Sequence, residues 1–430
     1  MTRPDRQAHH RPDLEVHCTA GAPVAISPLN LTTHSRSHIV DNTPELGSRA
    51  LFPSLAPRIY ANHASVGPLP TPAVAAMTDV MTRQATHGVA AMAGFHEDLE
   101  HTRALAGELM GVDSSHVALM PSTSMAISSV AASIPWQPGD RVVLFSGEFP
   151  ANTTPWQRAA DQYGLDLIWL SADAFRTEEG LAQLSQVLSA GRVRMVAVSA
   201  VQFSTGLRMP VEAMGALAHQ HGAEIFVDAI QALGSTPFDA TDLDYIASGG
   251  QKWLMGPPGT AMLYVRDWDR LRPTLAGWLS HVDALSFLWG DPDQLDYDRA
   301  IQSGPALFEG GTLNFAGLAG LTAALEINRT IGVPSIFAHA NAWIDQLEQS
   351  LVPLGFESLR ATDPSLRSCI LAAKPPEGIH AGELAGALAE HGISVSTPDA
   401  VVRFSPSWPN SAEEPSAIVE TLTPIVGRML

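Results

Sequence analysis

A chain of 430 residues with 45% hydrophobic side chains and a mean hydropathy of +0.07 can bury a large core, which excludes wholesale disorder. Forty-four acidic residues against 25 basic ones leave a net charge of −19, a field that repels phosphate backbones and anionic lipid, and no apolar run is long enough to span a bilayer. Nucleic acid and membrane are therefore not expected as partners.

Residues 1 to about 45 are polar and show no sustained period, so the first 57 residues are expected to form an N-terminal arm. Their charged opening lacks the apolar core of a secretory signal. Cys18 and Cys369, the only two cysteines, form neither a disulfide scaffold nor a metal-ligand spacing, and the protein is expected to be cytoplasmic with no metal site. The turn-rich segment YANHASVGPL (residues 60–69) is expected to pass near the active site, which makes Asn62 and His63 candidate substrate-binding residues.

From residue 70 onward, helical periodicity over residues 71–88 and 98–111 gives way to short apolar runs: HVALM, RVVLF, LDLIWL, RMVAVSAV, EIFV, LDYIA and TAMLYV. Seven such runs separated by helical patterns predict an α/β fold with a mostly parallel, doubly covered sheet in a large domain over residues 58–314. Beyond it, helices over 318–331 and 336–351 and strands near 367–372 and 401–405 predict a smaller C-terminal α/β domain, residues 315–430. Between the two, the segment of residues 276–298 carries tryptophans and a tyrosine that either line a pocket or pack at the domain junction.

Ligands of such sheets gather beyond the carboxyl ends of the strands. Ser122, Thr123 and Ser124 follow the first run, Phe149 and Asn152 the second, Asp228 the fifth and Lys252 the sixth. Small hydroxyl residues at a helix start offer free backbone N–H groups to a phosphate, or else cap the helix. Lys252, one of only two lysines, sits in SGGQKWLMGPPGT, a glycine- and proline-bounded turn where desolvation favours the neutral amine that an imine requires; an exposed loop lysine is the plainer alternative. Asp228 ends EIFVD, where a carboxylate can keep a pyridine nitrogen protonated or merely cap a loop.

Together these segments resemble the class V aminotransferase family of fold-type I pyridoxal-phosphate (PLP) enzymes, which includes kynureninases, cysteine desulfurases and isopenicillin N epimerase-like proteins. The likeness covers about residues 58–425. It implies PLP as cofactor, a homodimer, and a free α-amino acid as substrate. VDAIQALGSTPFD is similar to the family's aspartate strand, with Asp228 on the pyridine nitrogen and Gln231 near the ring's phenolic oxygen. SGGQKWLMGPPG resembles the lysine loop, which makes Lys252 the imine-forming residue, sets Gln251 beside the phosphate and offers Ser248 as a phosphate ligand. FEGGTLNFAGLAGL resembles the segment in which Thr312 would reach the phosphate of the partner subunit. EFPANTTPW is closest to the kynureninase version, in which Phe149 stacks on the ring.

Arg403, in VVRFSPSWPN, matches the arginine that grips the substrate's α-carboxylate; a surface pairing with Glu413 or Glu414 is the structural alternative. Cysteine desulfurases also need a thiol on a loop shortly before that arginine strand, and GISVSTPDAVVRFSPSWPN contains none. Transamination, or kynureninase- or epimerase-like chemistry, is therefore expected. The alternatives are a desulfurase or C–S lyase, and a PLP-binding protein without turnover.

Overall fold

The computed structural model describes residues 43–92, 94–289 and 295–430, so the arm up to residue 42, Cys18 and residues 290–294 lie outside the described residues. A short strand β1 (Ile59–Tyr60) leads into helices α1 (Thr71–His87) and α2 (Phe95–Met110). Seven strands follow: β2 (Val117–Met120), β3 (Arg141–Ser146), β4 (Asp166–Ser171), β5 (Val193–Ser199), β6 (Glu224–Asp228), β7 (Tyr245–Gly249) and β8 (Ala261–Val265). They form one sheet in the order β2-β8-β7-β6-β5-β3-β4. Pairing is parallel from β4 through β7 and antiparallel where β8 meets β7 and β2.

The strands read as continuous apolar runs because both faces are buried. In β5 the residues alternate between two cores: Val196 and Val198 pack on one side, Met195 and Ala197 on the other. Phe226 of β6 likewise faces away from Ile225 and Val227. A third core, containing Trp343, Ile344, Leu371 and Phe404, lies against a three-stranded antiparallel sheet of β9 (Glu357–Ser358), β10 (Leu371–Lys374) and β12 (Val402–Phe404). The remaining strand, β11 (Ile393–Ser394), pairs in parallel with β1. This tie brings the segment after β1 against the segment that leads to Arg403. No helix among the described residues is long and apolar enough to cross a membrane.

Some element boundaries differ from those predicted, for local reasons. Helix α2 starts at Phe95 rather than 98, behind Gly94, whose φ of 89° is left-handed. The helix predicted from 318 starts at Phe315 because the Asn314 side chain accepts from Gly317 N at 3.0 Å and caps it. The strand predicted near 367–372 spans Leu371–Lys374, and Arg367 N instead closes a short helical turn over Pro364–Leu366 by donating to Pro364 O at 3.2 Å.

Candidate active site

Lys252 follows β7 in a turn whose backbone is fixed from both sides. Gly250 N donates to Thr260 O and Gly256 N to Gly250 O, while Gly67 N, from the segment after β1, donates to Gln251 O at 2.7 Å. The approach at Gly67 is so close that a Cβ there would lie 2.2 Å from the Lys252 carbonyl oxygen, so only glycine fits. Burial pulls the Lys252 amine down to about 8; Asp228 opposes the shift and Arg403 adds to it. About half of it is then neutral at pH 8, where an ordinary lysine, near 10.4, is neutral in well under ~1% of molecules.

Asp228 closes β6, buried, with Oδ1 accepting from Ile230 N at 2.9 Å. Burial pushes its carboxyl up to about 6, against the Ile230 N–H and the charge of Lys252, so at neutral pH it remains mostly ionised. Helix α3 (Thr123–Ser133) starts at the same end of the sheet. Ser122 caps it by accepting from Met125 N, while the buried Thr123 Oγ1 has no hydrogen-bond partner among the described residues. Gly249 leaves the space between Thr123 and Gln251 open: a Cβ there would sit 2.3 Å from Gln251 Oε1 and 3.1 Å from Thr123 Oγ1.

These groups line one cavity of about 450 Å³, together with Phe149, Gln231 and Arg403, and its size falls within the range of small-molecule sites, about 300–1,000 Å³. The Phe149 ring stands 5.6 Å from Lys252 Nζ and meets Phe203 edge-on at 5.4 Å. Gln231 is held at both ends, donating to Ala64 O at 3.0 Å and accepting from Trp253 Nε1 at 2.9 Å.

Arg403 is buried and has no acidic partner among the described residues. It donates to Ser396 Oγ at 3.0 Å, Phe203 O at 2.6 Å and Ser65 Oγ at 2.9 Å, all uncharged acceptors, and burial pulls its pKa down to about 10. Pairing with Glu414 is not what the structure shows, since that carboxylate accepts from Asn410 Nδ2 at 2.7 Å. A guanidinium has five N–H donors. Three are taken, which leaves one on each terminal nitrogen for a two-oxygen acceptor.

Five of the residues expected from the sequence do not line this cavity. Asn152 is drawn behind it by Glu148 and Trp156, and Ser248, inside β7, donates to Gly249 O. Asn62 donates to Val395 O. His63 is fully buried, its Nδ1 bonded to Ser405 O and its ring stacked on Trp253, and burial pulls it down to about 4. Thr312 is exposed. In the segment expected to pack or line a pocket, Trp278 and Tyr297 are 44% and 83% exposed and do not line this cavity.

Sequence reasoning missed Ser65, Phe203 and Ser396, which line the cavity, and Glu148, which precedes Phe149. Glu148 accepts from Ser199 N at 2.7 Å, Gln202 Nε2 at 3.0 Å and the Ser199 hydroxyl, which anchors Phe149 to the end of β5. An acid directly before the ring residue was the only sequence signal for it.

Known proteins resemble this chain in sequence and fold. A probable cysteine desulfurase of Methanothermobacter thermautotrophicus is 27% identical over 403 residues, covering 87% of this chain and 96% of that protein. The cysteine desulfurase CsdA of Escherichia coli superposes with a TM-score of 0.77 at 25% identity, covering 89% of this chain and 98% of its own. The cystine C–S lyase C-DES, solved with its reaction product cysteine persulfide, gives a TM-score of 0.78 at 24% identity over 86% of this chain and 98% of that one. The architecture is that of PLP fold type I. Residues 59–411, from β1 to beyond Arg403, match the aminotransferase class-V family, and the chain belongs to that family.

Proposed function

We propose that this chain, a PLP-dependent enzyme by its family, converts a free α-amino acid whose carboxylate is gripped by Arg403 and whose α-carbon proton is handled by Lys252. The observation that carries the reading is a buried guanidinium without an acidic partner among the described residues, lining the same cavity as a lysine whose amine is about half neutral at pH 8.

The cavity fits the cofactor: the partnerless Thr123 Oγ1, the N–H groups at the start of α3 and Gln251 would hold the phosphate, and Asp228 would hold a proton on the ring nitrogen. PLP, when bound, supplies a ring that accepts the electron pair released at the substrate's α-carbon. Phe149 would cover one face of that ring and keep water from it. Lys252 would carry the cofactor in the resting state and, once displaced by substrate, take and return the α-proton. Arg403 would fix the carboxylate, and so decide which bond at the α-carbon stands ready to break.

Transamination and kynureninase- or epimerase-like chemistry all use these parts. A second reading is C–S cleavage of a disulfide amino acid, favoured by a cavity that no cysteine lines among the described residues. In such a reaction the sulfur leaves on the product, so the enzyme needs no thiol. Cys369 is fully buried, donates to Ser235 O at 3.4 Å, and is pushed up to about 12 by burial, which leaves it almost no thiolate. Cys369→Ser is expected to change kcat/KM less than about twofold. A loss beyond about tenfold with the fold intact would return the desulfurase reading.

The exposed Thr312 supports a homodimer in which each chain completes the other's phosphate site, with lobes divided near residues 314 and 315. A content of two cysteines in 430 residues supports a cytoplasmic setting. The deciding experiment incubates the purified holoenzyme with a panel of amino acids, including kynurenine, cystine and cysteine, follows the cofactor absorbance and identifies products by mass spectrometry. Conversion of at least one amino acid is expected; spectral silence toward the whole panel would overturn the reading.

A further inference from the structure

The segment between β1 and α1 bonds to three residues of the site. Ala64 O accepts from Gln231 Nε2 at 3.0 Å, Ser65 Oγ accepts from Arg403 Nη2 at 2.9 Å, and Gly67 N donates to Gln251 O, next to Lys252, at 2.7 Å. The segment is itself pinned, since Ala64 N donates to Ser405 Oγ at 3.1 Å and Ser65 N to Asn62 O at 3.1 Å. Ser65 is thus held between the arginine and the lysine loop by short backbone links, with its side chain lining the cavity.

A serine hydroxyl has one proton and two acceptor sites. Accepting from a guanidinium turns the lone pairs of Ser65 toward Arg403 and its proton away, and the charge strengthens that proton as a donor. We propose that Ser65 is a substrate-binding residue: it orients Arg403, donates its own proton to the carboxylate held there, and through Gly67 sets that carboxylate at a fixed distance from Lys252. This rests on Arg403 being the carboxylate site. Because the carboxylate's position fixes the orientation of the α-carbon, Ser65 acts on which product forms as well as on affinity.

The test uses the holoenzyme and propionate, a carboxylate that lacks the reacting amine, with binding measured by isothermal titration calorimetry. Ser65→Ala is expected to weaken propionate binding about tenfold to a hundredfold, the range for a hydrogen bond to a charged group. Ser65→Thr, which keeps the hydroxyl, should recover most of the loss. In an Arg403→Ala background the Ser65→Ala change should have almost no further effect, because both residues act on one bound group. A merely structural serine would give losses that add in the double variant and a lowered melting temperature instead. Unchanged propionate affinity in Ser65→Ala, with Arg403→Ala weakened, would overturn the role of Ser65 alone. Propionate binding that is absent in the wild type, or indifferent to Arg403→Ala, would instead overturn the carboxylate site on which it rests.

Discussion

Lys252→Ala is expected to lose the visible absorbance of lysine-linked cofactor and to lower turnover by at least about a thousandfold, since proton transfer by a positioned side chain alone contributes roughly 10²–10⁴-fold. No second lysine among the described residues lines the cavity. Lys374, the chain's only other lysine, is exposed at the end of β10 and paired with Glu357 at 2.9 Å. The fold should survive the change. Burial lowers the folded-state pKa of Lys252 to about 8, so below that pH the cofactor-free protein carries a buried ammonium that disfavours folding. From about 8 up to the unfolded value near 10.4 the unfolded chain binds more protons, so this group's contribution to stability rises with pH over that window. Cofactor-free Lys252→Ala should therefore melt no lower than the cofactor-free wild type at neutral pH, and should lack the rise in that window. Measurement of absorbance, turnover and melting temperature across pH checks all three. A variant with more than a tenth of wild-type turnover would remove Lys252 from the chemistry.

Arg403→Ala is expected to keep the lysine-linked cofactor and lose roughly thirtyfold to several thousandfold in kcat/KM toward amino acids. Truncating one partner of a buried charged contact costs about 2–5 kcal/mol, and about 1.4 kcal/mol is tenfold. An exposed ion pair would be worth only about 0–1 kcal/mol. The structure favours the larger figure: Arg403 is 4% exposed and, among the described residues, meets only hydroxyl and carbonyl oxygens. Amines that lack the carboxylate should be affected far less, because their binding never used the guanidinium. Steady-state kinetics with an amino acid and its decarboxylated amine separate the two. Efficiency within about threefold of wild type on the amino acid would make Arg403 a structural residue.

What the sequence disclosed follows from the physics of the sheet. Strands buried on both faces are written as unbroken apolar runs, so EIFVD and its neighbours stood out, and Asp228 and Lys252 stood out as polar residues at their ends. Which way a side chain points near a strand end is harder to read. Ser248 lies one residue from Gly249 yet bonds to backbone inside β7, and Asn152 is turned away from the cavity by the carboxylate of Glu148. The partners of Arg403 were not legible at all. They come from residues 65, 203 and 396, and only the pairing of β1 with β11 and the packing of the arginine strand bring them together. Serines in turn-rich segments carry no pattern that tells a ligand-facing hydroxyl from an ordinary one.

Reduction of the holoenzyme with borohydride, followed by proteolysis and mass spectrometry, tests most directly whether this cavity holds the cofactor. The pyridoxyl adduct is predicted on the peptide that contains Lys252. An adduct on Lys374, or a fully active enzyme that yields none, would contradict it.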